Sequence, residues 1–290
     1  MTIAICIFAH NEERRLPECI GALDAAADGA AYEAHLMVNG STDNTVRIAR
    51  SLAAADQRLT AHELPVADKA NAWNDYVYRI APQADAHIFI DGDVRPSAGA
   101  ISALAKTLHN HPSAYAAAAL PATGRSRKQW ITDLFLSRHL SGNLYAMSHG
   151  ALSAFRRRGL RLPFGAKGED GLIAYLLLTD LQGGENDIHD ERIVVSGDAT
   201  FEFHSLGLRM PDIKTYHRRL IRYSERHFQK QILYDRLKQR GVKALPESIC
   251  EIYTSTSLAR LSPRLDLINY WYDLAMLRRL RTQNQLAFST

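Results

Sequence analysis

Along the first 120 residues, short apolar runs alternate with longer stretches in which apolar residues recur at helical spacing. Five runs have strand length: Ile3 to Phe8, Ala34 to Val38, Arg58 to Leu64, Ala86 to Ile90 and Ala114 to Leu120. Helices fit between them. That alternation predicts right-handed crossovers and an α/β domain with a mostly parallel sheet flanked by helices on both faces. In such sheets ligands sit at the carboxyl ends of the strands, so the polar residues that follow each run are the candidates for chemistry. They are Asn11-Glu12-Glu13, Asn39-Gly40-Ser41 and Asp91-Gly92-Asp93.

After Pro121 the alternation loosens. The pattern predicts a helix over Lys128 to Tyr145, a short apolar run from Ala151 to Phe155, a helix starting near Glu169, and short strands near Ile193 and Phe201. From Pro211 to Arg240 the chain reads as a long basic helix, and Pro263 to Arg281 as another, with Leu, Ile, Tyr and Trp at helical spacing. Composition shifts near residue 210, which divides the chain into 1–210 and a basic helical appendage, 211–290. The first part falls into halves at 1–120 and 121–210.

With 290 residues, 46% of them hydrophobic, the chain can bury a sizeable core, so disorder is not the default reading. No run of about 18 apolar residues occurs, and Met1 to Glu13 lacks the basic start of a signal peptide, so a cytoplasmic protein is expected. Cys6, Cys19 and Cys250 lack C-x-x-C spacing, which argues against disulfides and a cysteine metal site and for three buried thiols. The net charge of +4 is unevenly spread: residues 1–204 carry −5 and residues 205–290 carry +9. A basic helical tail suits an anionic membrane surface, nucleic acid or an anionic partner, with a plain solvated face as the alternative.

Asp91 and Asp93 stand one residue apart where an apolar run ends, and this spacing points both carboxylates to one side of an extended chain. Two like charges about 4 Å apart repel by roughly 4 kcal/mol at an effective dielectric of 20, and a divalent cation reverses that cost. Hard oxygen ligands favour Mg²⁺ or Mn²⁺ over zinc. An ordinary turn is the competing reading of the motif. The loop Asn39 to Asn44 can expose backbone N–H groups at a helix start, where anions are favoured, while Ser41 and Asp43 also suit plain N-caps.

Taken together, five segments in order are similar to those of family 2 glycosyltransferases, which have the GT-A fold and use nucleoside diphosphate sugars. They are Asn11-Glu12-Glu13 after the first strand; Asn39-Gly40-Ser41-Thr42-Asp43-Asn44-Thr45; Lys69-Ala70-Asn71-Ala72-Trp73-Asn74; Asp91-Gly92-Asp93; and Gly168-Glu169-Asp170. The resemblance covers roughly residues 1 to 205. It implies donor contacts from Ala9, Asn11, Glu12, Asn39, Lys69, Asp91 and Gly92, a metal held by Asp91, Asp93 and His204, and Asp170 as the base of an inverting transfer. Acceptor contacts are implied for His149, Gly150 and Glu169, with His149 to Arg156 as a small strand beneath the acceptor. At Asn39 the family commonly has an aspartate that reads the uracil N–H. Asparagine keeps a carbonyl acceptor but loses the charge, so a UDP-sugar is favoured only weakly. Trp73 and Tyr76 are assigned to the core, and His109 and His111 to a helix end.

The Gln-x-x-Arg-Trp motif of processive synthases is absent, which points to transfer of one sugar. The expected acceptor is a saccharide or lipid-linked saccharide of an envelope pathway. A sugar nucleotidyltransferase would carry a glycine-rich basic loop after its first strand, and Ala9-His10-Asn11-Glu12-Glu13 has neither glycine nor lysine. A noncatalytic carbohydrate- or membrane-binding module is disfavoured by the joint presence of Asp91, Asp93 and Asp170. No nucleic-acid partner is assigned. The basic tail is expected to approach an anionic membrane, with Tyr270, Trp271 and Leu274 packing on the first domain or on a second subunit of a homo-oligomer as the alternative.

Overall fold

The structure, a computed structural model, describes residues 1–184, 186–204 and 210–287, with side chains described for all of these except 210–214 and 283–287. It forms two compact units: Met1–Arg161 with Glu169–Gln182 and Asn186–Ser205, and Leu162–Gly168 with Gly183–Glu185 and Leu206–Thr290. The second unit thus takes two short segments from within the span of the first.

The first unit is built on one eight-stranded sheet: β1 (Ile3–Ala9), β2 (Tyr32–Asn39), β3 (Leu59–Leu64), β4 (Ala86–Asp91), β5 (Val94–Pro96), β6 (Ala116–Pro121), β7 (Leu144–Ser148) and β8 (Ile193–Phe203). Their order is β3-β2-β1-β4-β7-β6-β8-β5. The pairs among β1 to β4 and between β6 and β8 are parallel, whereas β7 runs antiparallel to β4 and β6, and β5 to β8. Every residue of β1 is buried, as befits a strand covered on both faces. Alternation puts Ile3, Ile5, Ile7, Leu36, Val38, Ile88 and Ile90 into an aliphatic core with Leu16, Leu23, Ile101 and Leu104. The opposite face carries an aromatic layer, in which Phe89 stacks on Tyr145 at 4.9 Å and meets Tyr76 edge-on at 5.5 Å, while Trp73 meets Phe155 at 5.1 Å between ring centroids. Trp73 and Tyr76 are core residues, as expected.

Three elements differ from the sequence expectation. The helix expected to reach Tyr145 spans Arg127–Ser137 and ends where Arg138 turns left-handed (φ 49°), leaving Leu144–Ser148 to form β7. The segment expected as a small strand is instead a helix, His149–Arg158, capped by Ser148, whose Oγ accepts the Ala151 N–H, and closed by Gly159 at φ 64°. The two short strands near Ile193 and Phe201 are one strand. Among the thiols, Cys6 and Cys19 are buried and Cys250 is exposed.

In the second unit, a helix over Met210–Arg240 runs beside a last helix, Leu267–Ala287. Arg264 is locked to the fully buried Asp273, donating from Nη2 to Oδ1 at 2.7 Å and from Nε to Oδ2 at 3.0 Å, and also reaches Ser224 Oγ at 3.1 Å. Phe228, Leu237, Ile252, Met276, Leu277 and Leu280 are buried around these helices.

Candidate active site

The carboxyl ends of β1, β2 and β4 bring the first three polar segments together, and hydrogen bonds lace them. Asn11, held at φ 57°, accepts the Thr42 N–H on Oδ1 at 2.8 Å and donates its own N–H to Ser41 Oγ at 3.1 Å. The Glu12 N–H donates to Thr45 Oγ1 at 2.8 Å. Asp43 accepts from the N–H groups of Thr45 (2.9 Å) and Glu13 (3.3 Å) and so ties the two loops together. Asn39 is buried, its carbonyl accepts from His10 Nδ1 at 2.8 Å, and its Oδ1 has no hydrogen-bond partner among the described residues. Gly40 is required where it stands: at φ +57°, a Cβ would lie 2.3 Å from Ala67 N. Ala9 is fully buried at the end of β1.

Asp91 ends β4 and donates its N–H to Asn143 O at 3.0 Å, and Gly92 donates to Phe8 O at 2.7 Å, so close that a Cβ on Gly92 would sit 3.0 Å from that oxygen. The chain then turns into β5 with Asp93 at its edge. Asp93 is three-quarters buried and faces Arg15 at 3.9 Å, which also pairs with Glu12 at 3.7 Å.

Lys69 joins the site into one. It opens the helix Lys69–Asp75, whose N-cap Asp68 accepts the Asn71 N–H. Its ammonium lies 2.5 Å from Asp91 Oδ1, 2.8 Å from Glu169 Oε1 and 3.2 Å from Gly142 O, above the Phe8 ring at 5.3 Å. Burial opposes its charge, but Asp91 and Glu169 hold it well above the ordinary lysine value. Glu169 is buried and begins the helix Glu169–Leu178. Asp170 is half-buried and packs against the bare Cα of Gly142, where a Cβ would come within 3.0 Å of its carboxyl carbon.

Burial, reinforced by Asp93 and Asp91, raises Glu12 to about 7. Burial likewise raises Asp91 to about 7, with Lys69 opposing and Asp93 and Glu169 adding. Among the described residues no group of three or more His, Cys, Asp or Glu side chains converges to hold a metal ion. His204 is exposed and follows Phe203, the partner of Val94, so the antiparallel register carried one step further would set it opposite Asp93, yet it completes no such group among the described residues. The two donors at the end of β4, Asp91 and Asp93, are nevertheless both carboxylates one residue apart, with the Glu12 charge acting on each of them from nearby. That set fits a hard divalent cation.

His149 and Gly150 lie away from this cluster. Ser148 pairs with Ala86 at the start of β4, five residues and about 17 Å from Asp91 at strand rise. The His149 ring stacks on His87 at 5.5 Å, a packing role that the acceptor expectation did not foresee. Two contributors were missed from sequence. Gly142 presents its carbonyl to Lys69 and its Cα to Asp170, and the Ser141-Gly142-Asn143 punctuation was the available signal. Arg15, one helical turn after Glu12, carried no signal beyond that spacing.

Residues 4–162, more than half of the chain, match the family model described as Glycosyl transferase family 2. A search of curated protein sequences finds no match. Among solved structures, the chain resembles the mannosyltransferase PcManGT from Pyrobaculum calidifontis in complex with GDP-Man and Mn²⁺ (16% identity, 98% of this chain and 86% of that one, TM-score 0.58). It also resembles S. aureus TarS 1-349 (13%, 100% and 92%, TM-score 0.53). A third likeness is to glucosyl-3-phosphoglycerate synthase from Mycobacterium tuberculosis with Mn²⁺, UDP and glucosyl-3-phosphoglycerate (21%, 78% and 79%, TM-score 0.50). Identities this low establish the shared GT-A fold and nothing finer.

Proposed function

From the premise that the chain belongs to glycosyl transferase family 2 and is a glycosyltransferase, we propose that it moves one sugar from a nucleoside diphosphate sugar to a saccharide or lipid-linked saccharide, with inversion and with a divalent cation. The observation that carries this reading is the Lys69 ammonium, which touches Asp91 and Glu169 at once and so fixes the two acidic motifs, 78 positions apart in sequence, about one point.

Asp93 and Asp91, with Glu12 adding negative charge, would hold Mn²⁺ or Mg²⁺, which when bound neutralises the leaving diphosphate. Lys69 positions Asp91 and Glu169. Glu169 is engaged by that ammonium, and Asp170, beside it in the first turn of the same helix, is assigned as the base. In the transfer the acceptor oxygen bonds to C1 of the donor sugar as the C1–O bond to the diphosphate breaks, and the hydroxyl proton passes to the Asp170 carboxylate. Asn39 offers a carboxamide acceptor at the end of β2, which suits the imide N–H of uracil and makes UDP-sugars the first donors to try.

The test is a panel of UDP- and GDP-sugars with Mn²⁺, scored by nucleoside diphosphate release with and without saccharide acceptors. We expect release from one donor class, suppressed by EDTA and restored by Mn²⁺. Full activity in chelator would remove the cation, and an α-linked product from an α-donor would remove the inverting mechanism.

A further inference from the structure

Sequence alone nominates the whole basic tail for contact with a partner, but the second unit spends much of that chemistry internally. Arg264 is consumed by the buried Asp273. The guanidinium of Arg226 lies against Gly168, so close that a Cβ there would fall 2.0 Å from its Nε. Met276, Leu277 and Leu280 point into the unit.

What remains outside is sharply localised. Leu265, Leu267, Ile268 and Trp271 are 93%, 82%, 54% and 66% exposed, four large apolar side chains within seven residues at the start of the last helix. Scattered exposed apolar residues are ordinary, but a contiguous cluster of this kind marks a contact surface. At 100° per residue, Leu267, Ile268, Trp271, Arg278 and Arg279 fall on the side of the helix opposite Asp273, Met276 and Leu280, and all five are exposed. An apolar turn therefore leads into two arginines about 10 Å further along the same face. Arg260 and Arg281 are exposed at either end of the segment. Asp273 is neutralised by Arg264, and among the described residues the one exposed acid beside the patch is Asp266, which caps the helix by accepting the Asn269 N–H at 3.0 Å.

We propose that this turn is a membrane-surface anchor, with Leu265, Leu267, Ile268 and Trp271 entering the interfacial layer of a bilayer while Arg278 and Arg279 engage anionic headgroups. Charge selects the occupant. Residues 205–290 carry +9, which favours a negatively charged surface and would set two copies of the unit against each other. A tryptophan beside aliphatic side chains and followed by arginines is the chemistry of an interfacial helix, whose binding rises with buried apolar area and with anionic lipid.

The test is flotation of the full chain with vesicles of phosphatidylcholine alone and of phosphatidylcholine with phosphatidylglycerol, at low and high salt. Binding to the anionic vesicles, weakened by salt, and little binding to the neutral ones is expected. Leu267→Ser with Trp271→Ser should lower anionic partitioning by at least about tenfold, and Arg278→Gln with Arg279→Gln by roughly thirtyfold at low salt. Both pairs sit at exposed positions, so unchanged thermal unfolding and unchanged donor turnover in solution show that the fold survives. Equal or negligible binding to both vesicles at low salt overturns the proposal. So does a dimer in sedimentation velocity that Trp271→Ser dissolves, since the patch would then be an interface between copies.

Discussion

The parallel strands β1, β2 and β4 and the turns that follow them hold buried ionisable groups in two places, and the two clusters settle in opposite ways. Toward the amino end, His35 lies 3.2 Å from His62, and His87 lies 3.0 Å from Tyr76 Oη and 3.3 Å from His149. Burial, followed by His62, lowers His35 to about 4, and burial, followed by His149, lowers His87 to about 3. At neutral pH these rings are uncharged and packed. At the carboxyl end the same desolvation acts on carboxylates and raises Glu12 and Asp91 to about 7, where neither charge state is settled. One cluster has resolved its cost by neutrality, whereas the other retains charge that a bound cation can discharge. Residue type alone does not separate them, because histidines are as ready to serve a site as aspartates are.

The largest effect expected from breaking this contrast is at the carboxyl end. Asp91→Ala or Asp93→Ala should abolish transfer while the protein remains folded by circular dichroism and thermal melting. A variant with measurable activity that still responds to Mn²⁺ would show that the ion is held elsewhere.

Next comes the base. Asp170→Asn keeps the shape and removes the basicity, so turnover should fall by about 10²- to 10⁴-fold while donor affinity, measured by calorimetry, changes little. Near-normal turnover would remove Asp170 from the reaction and direct attention to Glu169, despite its bond to Lys69.

The difference between these two ends explains what could be read from sequence. The apolar runs of β1, β2, β4 and β6 were legible because strands buried on both faces leave continuous signals, and the residues that end them were legible because parallel sheets put sites there. β7 was not, because the helix was read through the Ser141-Gly142-Asn143 break as far as Tyr145, past the left-handed turn at Arg138. The helix His149–Arg158 carried its cap signals, Ser148 and Gly159, yet a resemblance to a strand outweighed them. The Lys69 bridge was beyond reach in detail. A lysine at a helix start announces neither Asp91 nor Glu169, which only the tertiary fold brings to its ammonium.

The amino-end cluster should reveal itself through acid stability. His35 and His87 have folded pKa values below that of a free imidazole, so the unfolded chain binds more protons between about pH 6.5 and pH 3, and stability is lost as pH falls through that window. Each ring should remove about 2 kcal/mol at pH 5 relative to pH 8. Urea unfolding at the two pH values measures this, and His87→Gln should flatten the dependence without changing donor turnover at pH 8 relative to the wild type. An unaltered slope would mean that His87 is already charged in the fold.

The smallest effect has the opposite sign. Glu12 binds its proton more tightly in the folded chain than in the unfolded one, so between about pH 4.5 and pH 7 the native state gains protons and stability falls as pH rises. Glu12→Gln removes the ionisable group and keeps the size, and it should therefore stabilise the protein by about 1 to 2 kcal/mol at pH 8, a gain that shrinks toward pH 4. The pair with Arg15 at 3.7 Å is too exposed and too long to offset this, because an ion pair of that kind contributes at most about 1 kcal/mol. Wild-type protein should recover part of the same stability on addition of Mn²⁺, and the Gln variant should recover less, since it has less negative charge to neutralise. Thermal unfolding at pH 8 and pH 4, with and without the ion, distinguishes the outcomes. A Gln variant less stable than wild type at pH 8 would place Glu12 with the settled groups, as a structural carboxylate serving the loop that its backbone N–H ties to Thr45.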